Sequence, residues 1–228
     1  MSKENILFGV VGLLAGLIIG FMFANSVNKG TIATSVSPQS QQAVDPSSPG
    51  VGQPTGNLPE VQAALEKAKA EPDNFEAQVA AAELYYQIKR LDGAIEYLKR
   101  ANVLKPDDYE VIVHLGNASF DSKKYADAES WYSKALAKKP DDVDVRTDLG
   151  LTFMFREPAD YDRAIQEFKR SLEIKPDHPQ TLQNLTVAYT KKGDAADAAA
   201  TLAKLETKEP SNPALTKLRA DIDTLKTK

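Results

Sequence analysis

Five prolines keep time along this 228-residue chain. Pro72, Pro106, Pro140, Pro176 and Pro210 stand 34, 34, 36 and 34 residues apart. Three carry the same tail, Lys105-Pro106-Asp107, Lys139-Pro140-Asp141 and Lys175-Pro176-Asp177, and each proline follows a helical pattern. A fixed period of this length signals stacked supersecondary units, each unable to bury its apolar face alone, rather than one globular core. Small residues keep the same step. Ala94, Ala128, Ala164 and Ala198 each lie twelve residues before a proline. Ala82, Gly116, Gly150 and Thr186 form a second column, with Gly150 falling in register once a two-residue insertion in the third unit is allowed. A large column, Leu98, Tyr132, Phe168 and Leu202, follows the alanines by four residues.

These columns resemble the tetratricopeptide repeat (TPR) family, in which small residues let two antiparallel helices approach closely and a proline ends the second helix. Counting back from each proline gives units at 75–108, 109–142, 143–178 and 179–212. The column near the end of the second helix reads Ala101, Ala135, Ser171 and Leu205, so the last unit departs from the small-residue pattern. The tyrosine of the first helix appears as Tyr85 and Tyr189 but is Ser119 and Phe153 in the middle units. The expected fold is an all-α TPR solenoid of about four helix-turn-helix repeats with flanking capping helices. The resemblance implies a right-handed superhelix.

Upstream of the repeats, Ile6 to Ala24 contains no charged residue. Nineteen residues of helix reach about 28 Å, close to a hydrocarbon core of about 30 Å. The run is longer than the apolar region of a cleaved signal and ends Met22-Phe23-Ala24-Asn25-Ser26, a poor cleavage site. Residues 1–29 are therefore expected to be a transmembrane signal-anchor. The slight excess of positive charge before the span places the repeats outside the cytoplasm, periplasmic in a bacterium. The absence of cysteine excludes a lipoprotein anchor as well as disulfides and zinc–thiolate sites. Gly12, Gly16 and Gly20 recur every four residues, a face that suits association of membrane helices.

Residues 30–57 are rich in Ser, Thr, Gln, Pro and Gly, with Asp45 the only charge, and read as a flexible linker. Residues 58–74 read as an N-terminal capping helix and its turn, with Pro59 in the first turn. Asn74, Asp108 and Asp142 are placed as N-caps. Residues 213–228 read as a C-terminal capping helix that starts at Asn212-Pro213 and carries Leu218, Ile222 and Leu225.

No catalytic constellation, phosphate loop or metal-ligand cluster is visible, so no enzyme activity and no cofactor are expected. The two histidines, His114 and His178, fall in packed and turn contexts. A net charge of −4 argues against a nucleic-acid partner. Binding of protein is the expected function, because a stack of helix pairs makes an extended surface for peptides or helices.

The resemblance implies that five positions of each first helix line the groove. They are Glu76, Val79, Glu83, Tyr86 and Gln87; Glu110, Val113, Asn117, Phe120 and Asp121; Asp144, Thr147, Leu151, Met154 and Phe155; and Gln180, Gln183, Val187, Thr190 and Lys191. Of these, Val79, Glu83, Tyr86, Val113, Asn117, Phe120, Leu151, Met154 and Phe155 are the expected partner-binding residues. Tyr86, Phe120, Met154 and Phe155 are expected to form a continuous apolar floor, with an acidic rim at the N-terminal end. Members that grip acidic chaperone tails carry Lys and Asn at two of these positions. Here those positions hold Val79 and Glu83, then Val113 and Asn117, so an apolar, neutral-to-basic segment is the expected ligand.

The chain then reads as a membrane-anchored adaptor. Two alternatives stand beside it. Anchored TPR proteins of cytochrome c maturation, which hold unfolded apocytochrome, have a similar layout. A structural homo-oligomer built through the glycine face is the other.

Overall fold

The computed structural model describes residues 58–227, which belong to one compact unit spanning Pro54–Lys228. The expected anchor at residues 6–24, its Gly12, Gly16 and Gly20 face and the linker at 30–57 lie outside the described residues. Among the described residues no helix is long and apolar enough to cross a membrane.

The described residues form ten helices and no strands. They are α1 (Leu58–Ala70), α2 (Phe75–Gln87), α3 (Leu91–Leu104), α4 (Tyr109–Asp121), α5 (Tyr125–Lys138), α6 (Val143–Phe155), α7 (Tyr161–Ile174), α8 (Pro179–Lys192), α9 (Ala195–Lys208) and α10 (Leu215–Lys226). Each helix packs on its neighbours in sequence, and α6 and α10 also reach α8. The described residues thus make an all-helical array of four helix pairs flanked by α1 and α10, the arrangement expected from the repeat spacing.

The first helix of each pair starts where the sequence provides a cap. The Asn74, Asp108 and Asp142 side chains accept from the N–H groups of Ala77, Val111 and Val145 at 3.0, 3.0 and 2.9 Å. Each satisfies one of the orphan donors of a helix N-terminus. The fourth first helix, α8, starts instead at His178 with Pro179 in its first turn.

The small columns mark where helices touch. Ala94, Ala128, Ala164 and Ala198 are all 0% exposed. So are Ala101, Ala135, Ser171 and Leu205, so the larger Leu205 is accommodated in the core of the last pair. The glycines of the middle pairs face buried aromatic rings of the second helix. A Cβ at Gly116 would lie 2.5 Å from the Tyr132 ring, and one at Gly150 would lie 2.4 Å from the Phe168 ring. In the outer pairs the same columns hold Ala82 with Leu98 and Thr186 with Leu202. The first helix thus gives up its side chain where the second helix brings an aromatic ring. Burying Tyr132 and Phe168, 2% and 0% exposed, contributes on the order of 1.5–3 kcal/mol each.

The ends are closed by polar capture and apolar cover. Gln78, fully buried on α2, donates to the Ala68 carbonyl at the end of α1 at 2.7 Å and to that of Glu71 at 3.2 Å, which also accepts from the Asn74 N–H at 3.1 Å. At the other end Leu215, Leu218 and Ile222 of α10 are buried. That helix begins at Leu215, after a turn in which Asn212 accepts from the Ala214 N–H at 2.9 Å. The two-residue insertion lies between α6 and α7. α6 ends at Phe155, ahead of Pro158, and both Arg156 and Arg163 reach Glu129 on α5, at 3.5 and 2.6 Å.

Candidate partner-binding face

Successive first helices stand side by side, because side chains bond directly from one to the next. The Tyr86 hydroxyl of α2 donates to the Asp121 carboxylate of α4. Phe120 of α4 meets Phe155 of α6 edge-on, ring centres 5.9 Å apart. Thr147 of α6 and Thr181 of α8 share a hydrogen bond of 2.7 Å. These contacts make one continuous face of α2, α4, α6 and α8.

The nine expected partner-binding residues divide into three groups on that face. Phe155 is the open one among the apolar residues, 39% exposed, and Glu83 is also exposed. Val79, Asn117, Phe120 and Met154 are half-buried. Tyr86, Val113 and Leu151 are buried, at 7%, 9% and 5% exposure, and serve mainly as packing.

The aromatic part of the floor is the cluster of Phe120, Phe155 and Tyr125, the last at 5.6 Å from Phe120 and also edge-on. Beside it opens a cleft of about 610 Å³, lined by Lys123 of the α4–α5 turn, Tyr125 and Asp127 at the start of α5, Phe155 at the end of α6 and Glu157 just after it. The end of α6 and the α6–α7 connection thus supply one wall of a cleft next to this cluster. Lys123 holds a left-handed conformation, φ 59°, in that turn, as Lys89 does with φ 60° in the first repeat.

The other end of the floor is polar. Tyr86 has its hydroxyl on Asp121, and Tyr132 donates from α5 to Asn117 Oδ1 at 2.9 Å. Burial raises the Asp121 pKa, with the Tyr86 hydroxyl and nearby Lys89 acting in the opposite direction. Asp148 on α6 keeps part of its surface open, yet protein encloses its carboxyl so closely that desolvation pushes it well above the usual carboxylate range. Asp144, Asp142 and Asp121 push in the same direction. Burial also raises the hydroxyl pKa values of Tyr86 and Tyr132, both of which feel Asp148. His114 is shifted the other way, its pKa lowered by burial against the opposing pull of Glu110, Glu83 and Asp108.

Asp148 and Tyr125 are residues of this region that the sequence reading missed. For Asp148 a signal existed: it interrupts α6, whose remaining course from Leu149 to Phe155 carries no charge. An acid inside so apolar a helix needs a reason. Among the described residues no group of three or more His, Asp or Glu side chains is arranged to hold a metal ion.

The tetratricopeptide repeat family model matches residues 55–112, 89–151 and 156–222, well over half the chain. Among solved structures, MamA is similar at 28% identity and a TM-score of 0.61, over 66% of this chain and 86% of that one. A MamA from Desulfovibrio magneticus RS-1 is similar at 19% identity and a TM-score of 0.62, over 69% and 89%. YrrB, described as a TPR protein with an unusual peptide-binding site, is similar at 17% identity and a TM-score of 0.63, over 72% and 85%. The last two likenesses speak to the fold. No curated protein sequence matches the chain. Repeat spacing, helix pairing and family model agree, and the chain belongs to the tetratricopeptide repeat family.

Proposed function

We propose that this protein is a non-enzymatic, membrane-anchored adaptor whose first-helix face holds an apolar peptide or helical segment of a partner protein. The observation that carries the reading is the aromatic cluster of Phe120, Tyr125 and Phe155, which joins two repeats on that face and is left partly open beside a cleft. Partly open aromatics at the centre of a recessed surface are the anchors of interaction sites. The anchor is residues 6–24, with the repeats outside the cytoplasm, which would hold the groove beside the membrane on the tether of residues 30–57.

Photo-crosslinking in cells tests this reading. p-Benzoylphenylalanine replaces Phe120 in one chain and, as a control, Lys134 in another. Lys134 lies on α5, where its Nζ donates to the Pro106 carbonyl at 3.0 Å. A discrete adduct at Phe120 alone supports the groove and lets mass spectrometry name the partner. An adduct at Lys134 with none at Phe120 moves the interaction to the second helices.

A further inference from the structure

The cleft beside the aromatic cluster holds charges that the chain itself does not use. Lys123, Lys124, Tyr125, Asp127, Phe155 and Glu157 line it. Lys124 is committed to Asp92, its Nζ 2.7 Å from that carboxylate. Among the described residues the Asp127 and Glu157 carboxylates accept no hydrogen bond and form no ion pair, and the Lys123 ammonium makes none either. Two free carboxylates against one free ammonium leave the cleft with an excess of negative charge. Its rings are equally available. Phe120 meets Tyr125 and Phe155 edge-on at 5.6 and 5.9 Å, and Phe155 stays 39% exposed.

Elsewhere the chain shows what a ring and a carboxylate do together. Arg163 lies 3.9 Å from the centre of the Phe153 ring and 2.6 Å from Glu129. Arg100 lies 4.9 Å from the centre of the Tyr97 ring and pairs with Glu96. Lys105 lies 3.7 Å from the centre of the Phe75 ring and 3.2 Å from Glu76. Each cation serves a ring and a carboxylate at once, because the ring face and the carboxylate both attract positive charge. The cleft brings rings and carboxylates together in the same way, and among the described residues no cation bridges them. Arginine suits the gap better than lysine. Its planar guanidinium can lie on a ring while its edge meets a carboxylate, and its apolar stem covers the remaining ring surface.

We propose that this cleft takes an arginine of the bound partner segment, its guanidinium held between the exposed Phe155 ring and the carboxylates of Glu157 and Asp127, while apolar neighbours in that segment lie against Phe120. This rests on the groove reading above and adds the residue class that the partner must carry. Lys123 acts with the opposite sign, since an incoming cation must approach its ammonium. Removing that charge should therefore strengthen the site.

The test uses the full-length chain in detergent micelles. A displayed library of random dodecapeptides is selected against the wild-type chain and against the double variant Asp127→Asn with Glu157→Gln. Both residues are exposed, so the double variant should keep the fold, which circular dichroism checks. Peptides recovered on the wild type are expected to share an arginine beside apolar residues, and the double variant is expected to lose that preference. A synthetic recovered peptide, labelled with fluorescein, should bind the double variant about tenfold more weakly. Citrulline in place of its arginine keeps the planar shape without the charge. It should weaken binding to the wild type similarly and change nothing further on the double variant. Lys123→Gln should tighten binding of the arginine peptide about threefold and leave the citrulline peptide unchanged. Recovered peptides without an arginine bias, the same bias on the double variant, or weaker binding of the arginine peptide to Lys123→Gln overturn this inference. If Phe120→Ala weakens unbiased peptides, the groove reading stands without it. A wild-type chain that recovers no peptide overturns both.

Discussion

Two seams on the same face of this molecule are built in opposite ways. Where the third repeat meets the fourth, the threonine hydroxyls are paired, although Gln180 Nε2 and Asn184 Nδ2 on α8 have no acceptor. Thr147 shares hydrogen bonds with Thr181 at 2.7 Å and the Val143 carbonyl at 2.7 Å, and Thr181 meets His178 Nδ1 at 2.7 Å. Where the second repeat meets the third, Asp148 is enclosed without a partner and an aromatic cluster is left half covered. Both seams stack equivalent helices, so the helices themselves do not dictate the difference. The side chains make it: threonine hydroxyls bridge one seam, and aromatic rings meet edge-on at the other.

The comparison is sharpened first by the glycines beneath the open seam. Gly150→Ala should destabilise the fold by about 1–3 kcal/mol, because the Phe168 ring lies where the new Cβ must go. The same change on an exposed helix would gain about 1 kcal/mol of helix propensity, so the sign is diagnostic. Urea unfolding reads it, and Gly150→Ala with Phe168→Leu, which copies the size pairing of Ala82 and Leu98, should recover part of the loss.

At the closed seam, Thr147→Val keeps the shape and removes the hydroxyl, leaving the hydrogen-bonding capacity of Thr181 incompletely met. A loss of about 1–2 kcal/mol is expected. A neutral result would mean that the paired network adds nothing to stacking.

Asp148→Asn has the opposite expected sign. A carboxyl whose folded pKa lies above its unfolded value near 3.9 makes the folded chain bind more protons between the two. Its penalty is fully present above the folded pKa and fades as pH falls through it. His114, with a lowered pKa, acts oppositely below about pH 6.5, where the unfolded chain takes up its proton. The exposed carboxylates Glu76, Asp92 and Asp107, all with lowered pKa values, lose their contribution at still lower pH. Asp148 is therefore isolated by difference. Asp148→Asn should be more stable than wild type at pH 7, by about 1 kcal/mol as for relief of an unpaired buried group, and the gap should close as the pH is lowered toward 4. A gap that widened on acidification would contradict the burial of that carboxyl.

The smallest effect concerns the turn that forms one wall of the cleft. Lys123→Gly relieves a left-handed lysine, worth about 1–2 kcal/mol, against about 0.5–1 kcal/mol of added chain entropy. A net gain of roughly 0.5 kcal/mol in thermal unfolding is expected.

Much of the fold was legible because repetition compares the chain with itself. Four aligned copies expose the small and large columns and the prolines that end each unit, and three caps were read from Asn74, Asp108 and Asp142 alone. The site was less legible, since groove positions carried over from a resemblance say which helix face a residue occupies and not how deep it lies. Tyr86 falls at a groove position, yet its hydroxyl is drawn down by Asp121, which is 35 residues away. Asp148 was passed over because acids on helices ordinarily face water, whereas burial raises the pKa of its carboxyl well above the usual range. The insertion was visible as two extra residues; that Glu157 would line a cleft with Lys123 and Tyr125, and that Arg156 and Arg163 would both pair with Glu129, was not.

The most direct measurement is the titration of the Asp148 carboxyl carbon by NMR in the full-length chain, with Asp148→Asn to assign the signal. A desolvated carboxyl that also feels Asp144, Asp142 and Asp121 predicts a midpoint well above the ordinary aspartate value of about 3.9. A midpoint at or below that value would mean that Asp148 is solvated or already paired, and the contrast between the two seams would fall.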